Sequence, residues 1–302
     1  MDIRNVLLVA LGVITAVYVV VWVAEIRKRG GFVWPKPIEL AIGFVTDFFD
    51  TLGIGSFAPT ISLFKFFRLV PDERVPGTLN VGHALPTVVE AVFFIAIIAV
   101  SPLTLISLIV ASIAGAWLGA GLVARWPRRY VQIGMGGALL AAAVLFVMKN
   151  LNWLPGGGTA LGLSGVNLAI AIVAYVCLGA LMTLGIGLYA PAMITVSLLG
   201  MNPITAFPIM MGSCAFLMPP ASIRFIRFDA YSLRAALGLT IGGIPAVIIA
   251  AKIVKSLPLT YVRWLVVVVV IYAAITMLRS ALKERGQAAA ESDYSVGSTP
   301  TV

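Results

Sequence analysis

The chain has 302 residues, of which 61% are hydrophobic and only 11% charged, with a mean hydropathy of +1.06 and a net charge of +9. Soluble globular chains carry about 25% charged and about 45–50% apolar residues. A water-soluble enzyme, a secreted domain and a disordered scaffold are excluded, and an integral membrane protein fits.

The basic excess does not point to nucleic acid. Lysines and arginines sit in small clusters between apolar runs, where their ordinary role is to orient helices in the bilayer. Cys177 and Cys214 both lie inside apolar segments, with no metal-ligand spacing around them. No cofactor and no metal is expected.

In chain order, Asn5 to Ala24 is an apolar run of spanning length, followed by the charges of Glu25, Arg27, Lys28 and Arg29. A signal peptide carries its charge before the run, so this is a retained helix with its N-terminus outside. The stretch from Ile38 to Arg68 is too long for one span: as a straight helix it would measure about 46 Å, against a hydrocarbon core of about 30 Å. It is broken at Leu52-Gly53-Ile54-Gly55-Ser56, with Pro59 beyond. Further apolar segments run from Leu79 to Val100, Pro102 to Ala124 and Val131 to Met148, and a glycine-rich loop spans Lys149 to Ser164. The order then returns. Val166 to Leu199 is again too long and again broken, at Leu184-Gly185-Ile186-Gly187, and is followed by Ile204 to Ile226, Leu233 to Ala251 and Tyr261 to Leu278. The polar tail reads as disordered.

The repetition is written in glycine and proline. Thr51 to Pro59 aligns with Thr183 to Pro191 at an offset of 132, with seven of nine pairs identical. At the same offset Pro71 meets Pro203 and Pro76 meets Pro208; at 131, Pro127 meets Pro258. The chain divides into residues 1–37 (N-terminal helix and basic loop), 38–148 (first repeat), 149–165 (linker), 166–282 (second repeat) and 283–302 (tail).

Charge counting chooses the orientation of the repeats. If each broken segment crosses the membrane, the basic residues fall 11 inside and 10 outside. If each is a hairpin that enters and leaves on one face, Lys65, Arg68, Arg74, Arg125, Arg128 and Arg129 move inside, Lys149 moves out, and the count becomes 16 to 5. The positive-inside rule selects the hairpins. The expected fold is an all-α integral membrane protein of two inverted repeats, each a broken re-entrant helical hairpin plus three membrane-spanning helices, with an extra N-terminal helix. Such repeats are a recurring plan of secondary transporters.

A helix break in lipid frees backbone groups that only protein or a watery cavity can satisfy. The second arm of each hairpin begins near the bilayer centre with free N–H groups and the positive end of its dipole, which favours an anion. Candidate substrate-lining residues at or beyond the breaks are Gly53, Gly55, Ser56, Phe57, Thr60, Gly185, Gly187, Tyr189 and Thr195, joined by Asn80, Ser213 and Cys214 in the helices after the hairpins. Ionisable residues inside spans are costly and usually functional. Asp47 and Asp50 lie three apart before the first break, and Glu90 lies seven after His83, the single histidine. These four are candidates for proton coupling. A pairing of Glu90 with Arg224 across the repeats is one alternative, with Arg224 as a cytoplasmic-end anchor the other. Trp22, Trp34, Trp126, Tyr130, Trp153, Tyr261 and Trp264, at segment ends, read as interface anchors.

Two four-segment halves, each opening with an apolar G-x-G-x-x-x-P element, resemble the TauE/SafE sulfite-exporter family, also called toluene sulfonate uptake permeases. The resemblance covers Ile38 to Leu278. It implies export or uptake of small sulfur oxyanions and organosulfonates across the bacterial inner membrane. The expected partners are a small anionic substrate and membrane lipids, with no nucleic acid; a homodimer is an alternative to a monomer. The chain departs from the family at Asp47 and Asp50, where small or apolar residues are usual. A competing reading is a proton- or cation-coupled carrier or channel for another small solute, using Asp47, Asp50 and Glu90. An intramembrane enzyme is disfavoured, since a metalloprotease needs paired histidines. A thiol relay would need both Cys177 and Cys214 near the path.

Overall fold

The computed structural model describes residues 3–153, 158–183, 185, 187–202 and 205–253, with scattered helical positions between 264 and 282. The expected tail, the Pro258 and Tyr261 positions and most of the last segment lie outside the described residues. Among the described residues ten α-helices are bounded: α1 (Ile3–Lys28), α2 (Pro37–Thr51), α3 (Phe57–Phe67), α4 (Val75–Ile97), α5 (Pro102–Val123), α6 (Arg128–Asn150), α7 (Gly165–Met182), α8 (Tyr189–Leu198), α9 (Ala206–Arg227) and α10 (Leu233–Ile253). Among the described residues there is no strand, only an isolated bridge between Ala160 and Met201.

Six of these helices, α1, α4, α5, α7, α9 and α10, are long and apolar enough to cross a bilayer. Large apolar side chains also lie bare on the outside, with Val20 68%, Leu118 69%, Val166 75% and Ile97 75% exposed. A soluble monomer rarely shows so wide an apolar surface. The protein is an all-helical multi-pass membrane protein. In α1 the division of faces is plain: Leu7, Leu11, Tyr18 and Trp22 are buried while Val6, Val9, Val13, Val17 and Val20 face out. Trp22 is thus not the interface anchor its position suggested; it is 4% exposed and stacks on Tyr18 at 5.6 Å. Trp34 and Trp153, at 79% and 69%, are exposed as expected.

Local sequence sets the helix ends. Pro37 occupies the first turn of α2, and the Glu39 carboxylate accepts the Lys36 N–H at 2.7 Å, a satisfied start. α4 begins at Val75, earlier than hydropathy suggested, because Pro76 suits a first turn while Gly77, Thr78 and Asn80 dilute the apolar signal. Pro86 lies inside α4 and has no N–H to offer the Gly82 carbonyl four residues back. Thr240 of α10 donates to that carbonyl instead, at 2.6 Å.

The helices pack in matched sets: α2 against α10 and α7 against α5, α4 against α10 and α9 against α5, with α4 against α9 between them. Two clusters of contacts tie the helix ends. In the first, Asp229, after α9, pairs with Arg29 at 2.7 Å and Arg74 at 3.3 Å, and Arg234 at the start of α10 pairs with Glu39 at 3.3 Å. Beside them Lys65 of α3 pairs with Asp72 at 2.7 Å, and Gln132 of α6 donates to Asp72 at 2.8 Å. In the second, Arg4 of α1 donates to the Ala96 carbonyl at 3.4 Å, and the Leu163 N–H to Thr104 of α5 at 2.8 Å. There also the Ser101 N–H reaches the Leu161 carbonyl and the Asn202 N–H the Ala160 carbonyl, each at 2.8 Å.

Candidate functional site

The first break is a glycine turn. The Gly53 N–H donates back to the Asp50 carbonyl at 2.7 Å, and Gly53 and Gly55 have φ of +80° and +93°, a region side chains resist. Gly185 repeats this in the second half, with φ of +93° and its N–H on the Met182 carbonyl at 3.0 Å. α3 and α8 then start without any side-chain cap. Ser56 stands at the cap position of α3, yet its hydroxyl turns backward and donates to Asp50 Oδ2 at 3.0 Å. Leu188, at the corresponding place before α8, has no polar side chain to offer.

A buried polar cluster surrounds the first break. His83 Nδ1 lies 2.7 Å from Asp47 Oδ1, and His83 Nε2 lies 3.0 Å from Thr60 Oγ1. The Thr60 hydroxyl donates to the Ser56 carbonyl at 2.8 Å. It has one hydrogen to give, so with that bond made it accepts from His83 Nε2–H. The 2.7 Å contact of His83 Nδ1 with Asp47 Oδ1 then closes as a hydrogen bond when one of the two carries a proton there. On the other side of the cluster, Tyr189 donates to Glu90 Oε2 at 2.6 Å. Thr51 Oγ1 lies 2.8 Å from Glu90 Oε1 and 2.9 Å from the Asp47 carbonyl. Both Thr51 contacts are met by one hydroxyl when Glu90 carries a proton on Oε1. Asp47, Asp50, His83 and Glu90 are all buried.

Asp47 needs a vacancy in α10. A Cβ on Gly243 would collide with Asp47 Oδ2 and come within 2.7 Å of Pro86. Asp47 Oδ2 is itself buried with no hydrogen-bond partner.

Both helix starts open on one narrow cavity of about 10 Å³, room for roughly one water molecule. Asp50, Gly55, Ser56 and Phe57 line it from the first break, and Gly187, Leu188 and Tyr189 from the second. Thr87 of α4, Met182 of α7, and Cys214 and Met218 of α9 complete the wall. No lysine or arginine is among these lining residues.

The expected residues divide accordingly. Gly55, Ser56, Phe57, Gly187, Tyr189 and Cys214 line the cavity, as does Asp50. Gly53 faces the Phe207 ring, and Gly185 faces Ile61 and Met135; they shape the turns. Thr60 stands behind the wall on His83. Asn80 donates to the Pro76 carbonyl at 2.9 Å, and Thr195 to the Pro191 carbonyl at 2.8 Å. Ser213 is buried with its hydroxyl unpaired. Ile186 lies outside the described residues. Arg224 does not meet Glu90: it donates to the Trp117 carbonyl at 2.9 Å and lies over the Trp117 ring at 4.6 Å. Cys214 is buried beside Met182, with 3.7 Å between the sulfurs, whereas Cys177 is exposed, so the two thiols do not share the cavity. Thr51, Thr87, Met182 and Met218 were not foreseen. Thr51 follows Asp47 by four and Thr87 precedes Glu90 by three, spacings that share a helical face.

The cluster belongs to one half. At the offset of 132, Asp47, Asp50, His83 and Glu90 correspond to Gly179, Met182, Ala215 and Ser222. No protein-family model, no curated protein and no solved structure matches this chain.

Proposed function

We propose that the protein is a secondary transporter of small sulfur-containing anions (sulfite, sulfonates or related organic anions), working as an exporter with its site between two broken helical hairpins. The observation that carries this reading is the convergence of two uncapped helix starts on one buried cavity. Uncapped N–H groups and the positive dipole end favour an anion. The soft sulfurs of Met182, Cys214 and Met218 suit a polarizable substrate. The sequence resemblance supplies the sulfur oxyanion class.

The contacts at the helix ends support inverted repeats. The start of α2 and the end of α3 belong to the first cluster of end contacts, through Glu39 and Lys65. The segment leading into α7 and the one leaving α8 belong to the second, through Leu163 and Asn202. Each hairpin then enters and leaves on its own face. The first cluster holds Arg29, Arg74 and Arg234 and is the cytoplasmic one by the positive-inside rule. On this reading the N-terminus lies outside, and the sequence resemblance supplies the bacterial inner membrane.

Purified protein in liposomes loaded with sulfite or methanesulfonate tests the reading. Efflux of labelled anion above protein-free liposomes is the expected result, and absence of flux for both anions would remove the proposal. A second reading, a proton- or cation-coupled carrier of another small solute, is favoured by the Asp50 carboxyl in a wall without lysine or arginine. Flux of a cation with none of either anion would select it.

A further inference from the structure

We propose that Asp50 is a tethered occupant of the anion seat at the start of α3, so that a substrate anion enters only as Asp50 takes up a proton and gives up its bond there. The inference rests on the anion-transport reading and names how that site is coupled.

The observation is a misdirected cap. A serine at the cap of a helix ordinarily serves the first free amides of that helix. Ser56 instead gives its hydroxyl to Asp50 Oδ2 at 3.0 Å. The hydroxyl donor of the first break is thus directed at an acceptor supplied by the chain. That acceptor also faces the cavity onto which both helix starts open.

The other titratable groups around Asp50 are engaged elsewhere. Asp47, on the same helix, is held by His83 of α4. Glu90 of α4 is held by Tyr189 of α8 and Thr51. Cys214 of α9 lies against Met182. α3 contributes Ser56, and α10 contributes Gly243 beside Asp47. Of the three carboxyls only Asp50 lines the cavity.

The proton balance follows. The empty seat holds one carboxylate. The loaded seat holds a protonated Asp50 and one monovalent anion, with the Ser56 hydroxyl freed to donate to the newcomer. The charge of the seat is unchanged, and two negative charges never share a low-dielectric space. Each monovalent anion therefore travels with one proton, and the cycle is electroneutral.

The test uses full-length protein in proteoliposomes with methanesulfonate, which carries one charge across the pH range used, together with an internal pH dye and imposed potassium diffusion potentials. In the wild type one proton is expected to enter with each anion, flux is expected to ignore the imposed potential, and flux is expected to fall about tenfold per pH unit above its midpoint. Asp50→Asn is expected to carry the anion without a proton, at a rate that no longer follows pH and now follows the potential. Proton uptake persisting with the anion in Asp50→Asn, or wild-type anion flux without protons, would overturn the inference while leaving the anion reading intact. No wild-type flux of methanesulfonate or sulfite would overturn both. Ser56→Ala keeps the carboxyl and removes its hydroxyl donor, so it serves where Asp50→Asn does not fold. Its flux midpoint is expected to rise by about one pH unit, and an unmoved midpoint would count against Asp50 as the coupling group.

Discussion

Tyr189, the first residue of α8, donates its phenolic hydrogen to Glu90 of α4 across 2.6 Å. The bond is where the second half of the chain reaches into the acidic cluster of the first. Tyr189→Phe keeps the ring and removes the donor. An unsatisfied buried acceptor costs about 1–3 kcal/mol, so a lower thermal midpoint in detergent is expected. Anion flux in liposomes is expected to fall about tenfold, the equivalent of about 1.4 kcal/mol.

The glycine turns are expected to be indispensable to transport. Gly53→Leu and Gly185→Leu force a branched side chain into φ of +80° and +93° and press it on the Phe207 ring or on Ile61. The backbone penalty alone is about 1–2 kcal/mol. Both variants are expected to insert into the membrane and to lose flux. Wild-type flux in either would remove that turn from the mechanism.

Gly243→Ala is expected to destabilise by about 1–3 kcal/mol, because its Cβ would fall on Asp47 Oδ2 and crowd Pro86. The cost belongs to the Asp47 side chain, so adding Asp47→Ala is expected to recover part of it. A double-mutant cycle on thermal midpoints measures that coupling.

Thr240 serves a carbonyl that Pro86 leaves free. Thr240→Val is expected to cost about 1–3 kcal/mol in the native background. With Pro86→Ala, an N–H returns to the Gly82 carbonyl and the Thr240→Val cost is expected to shrink toward zero. Equal costs in the two backgrounds would show that the 2.6 Å bond does not replace a helix bond.

Single cysteines in a background lacking Cys177 and Cys214 report the hairpin faces. Asp229→Cys and Leu161→Cys, both at exposed positions, are expected to react with an impermeant maleimide from opposite sides of the membrane. Labelling from one side alone would reject the inverted arrangement.

Much of this was legible in the sequence because glycine, proline and charge stand out against an apolar background. Both breaks, the bare exterior and the burial of Asp47, Asp50, His83 and Glu90 were readable on those grounds. What periodicity lacks is rotation about neighbouring helix axes. It set Asp47 and Asp50 three apart, yet Asp47 turns to His83 and Asp50 to Ser56. For the same reason repeat alignment brought Arg224 near Glu90 in depth, while the structure turns it to Trp117. Met182 and Met218 were invisible as wall residues, since an apolar side chain in an apolar segment carries no contrast.

The acidic cluster has no copy in the second half, where Gly179, Met182, Ala215 and Ser222 hold the equivalent positions. The two aligned halves thus carry different chemistry. Substitutions at Met182, Leu188, Cys214 or Met218 can reshape what the cavity admits while the hydrogen-bonded acids of α2 and α4 stay as they are. On the transport reading, selectivity can shift at the cavity while the acids keep their places.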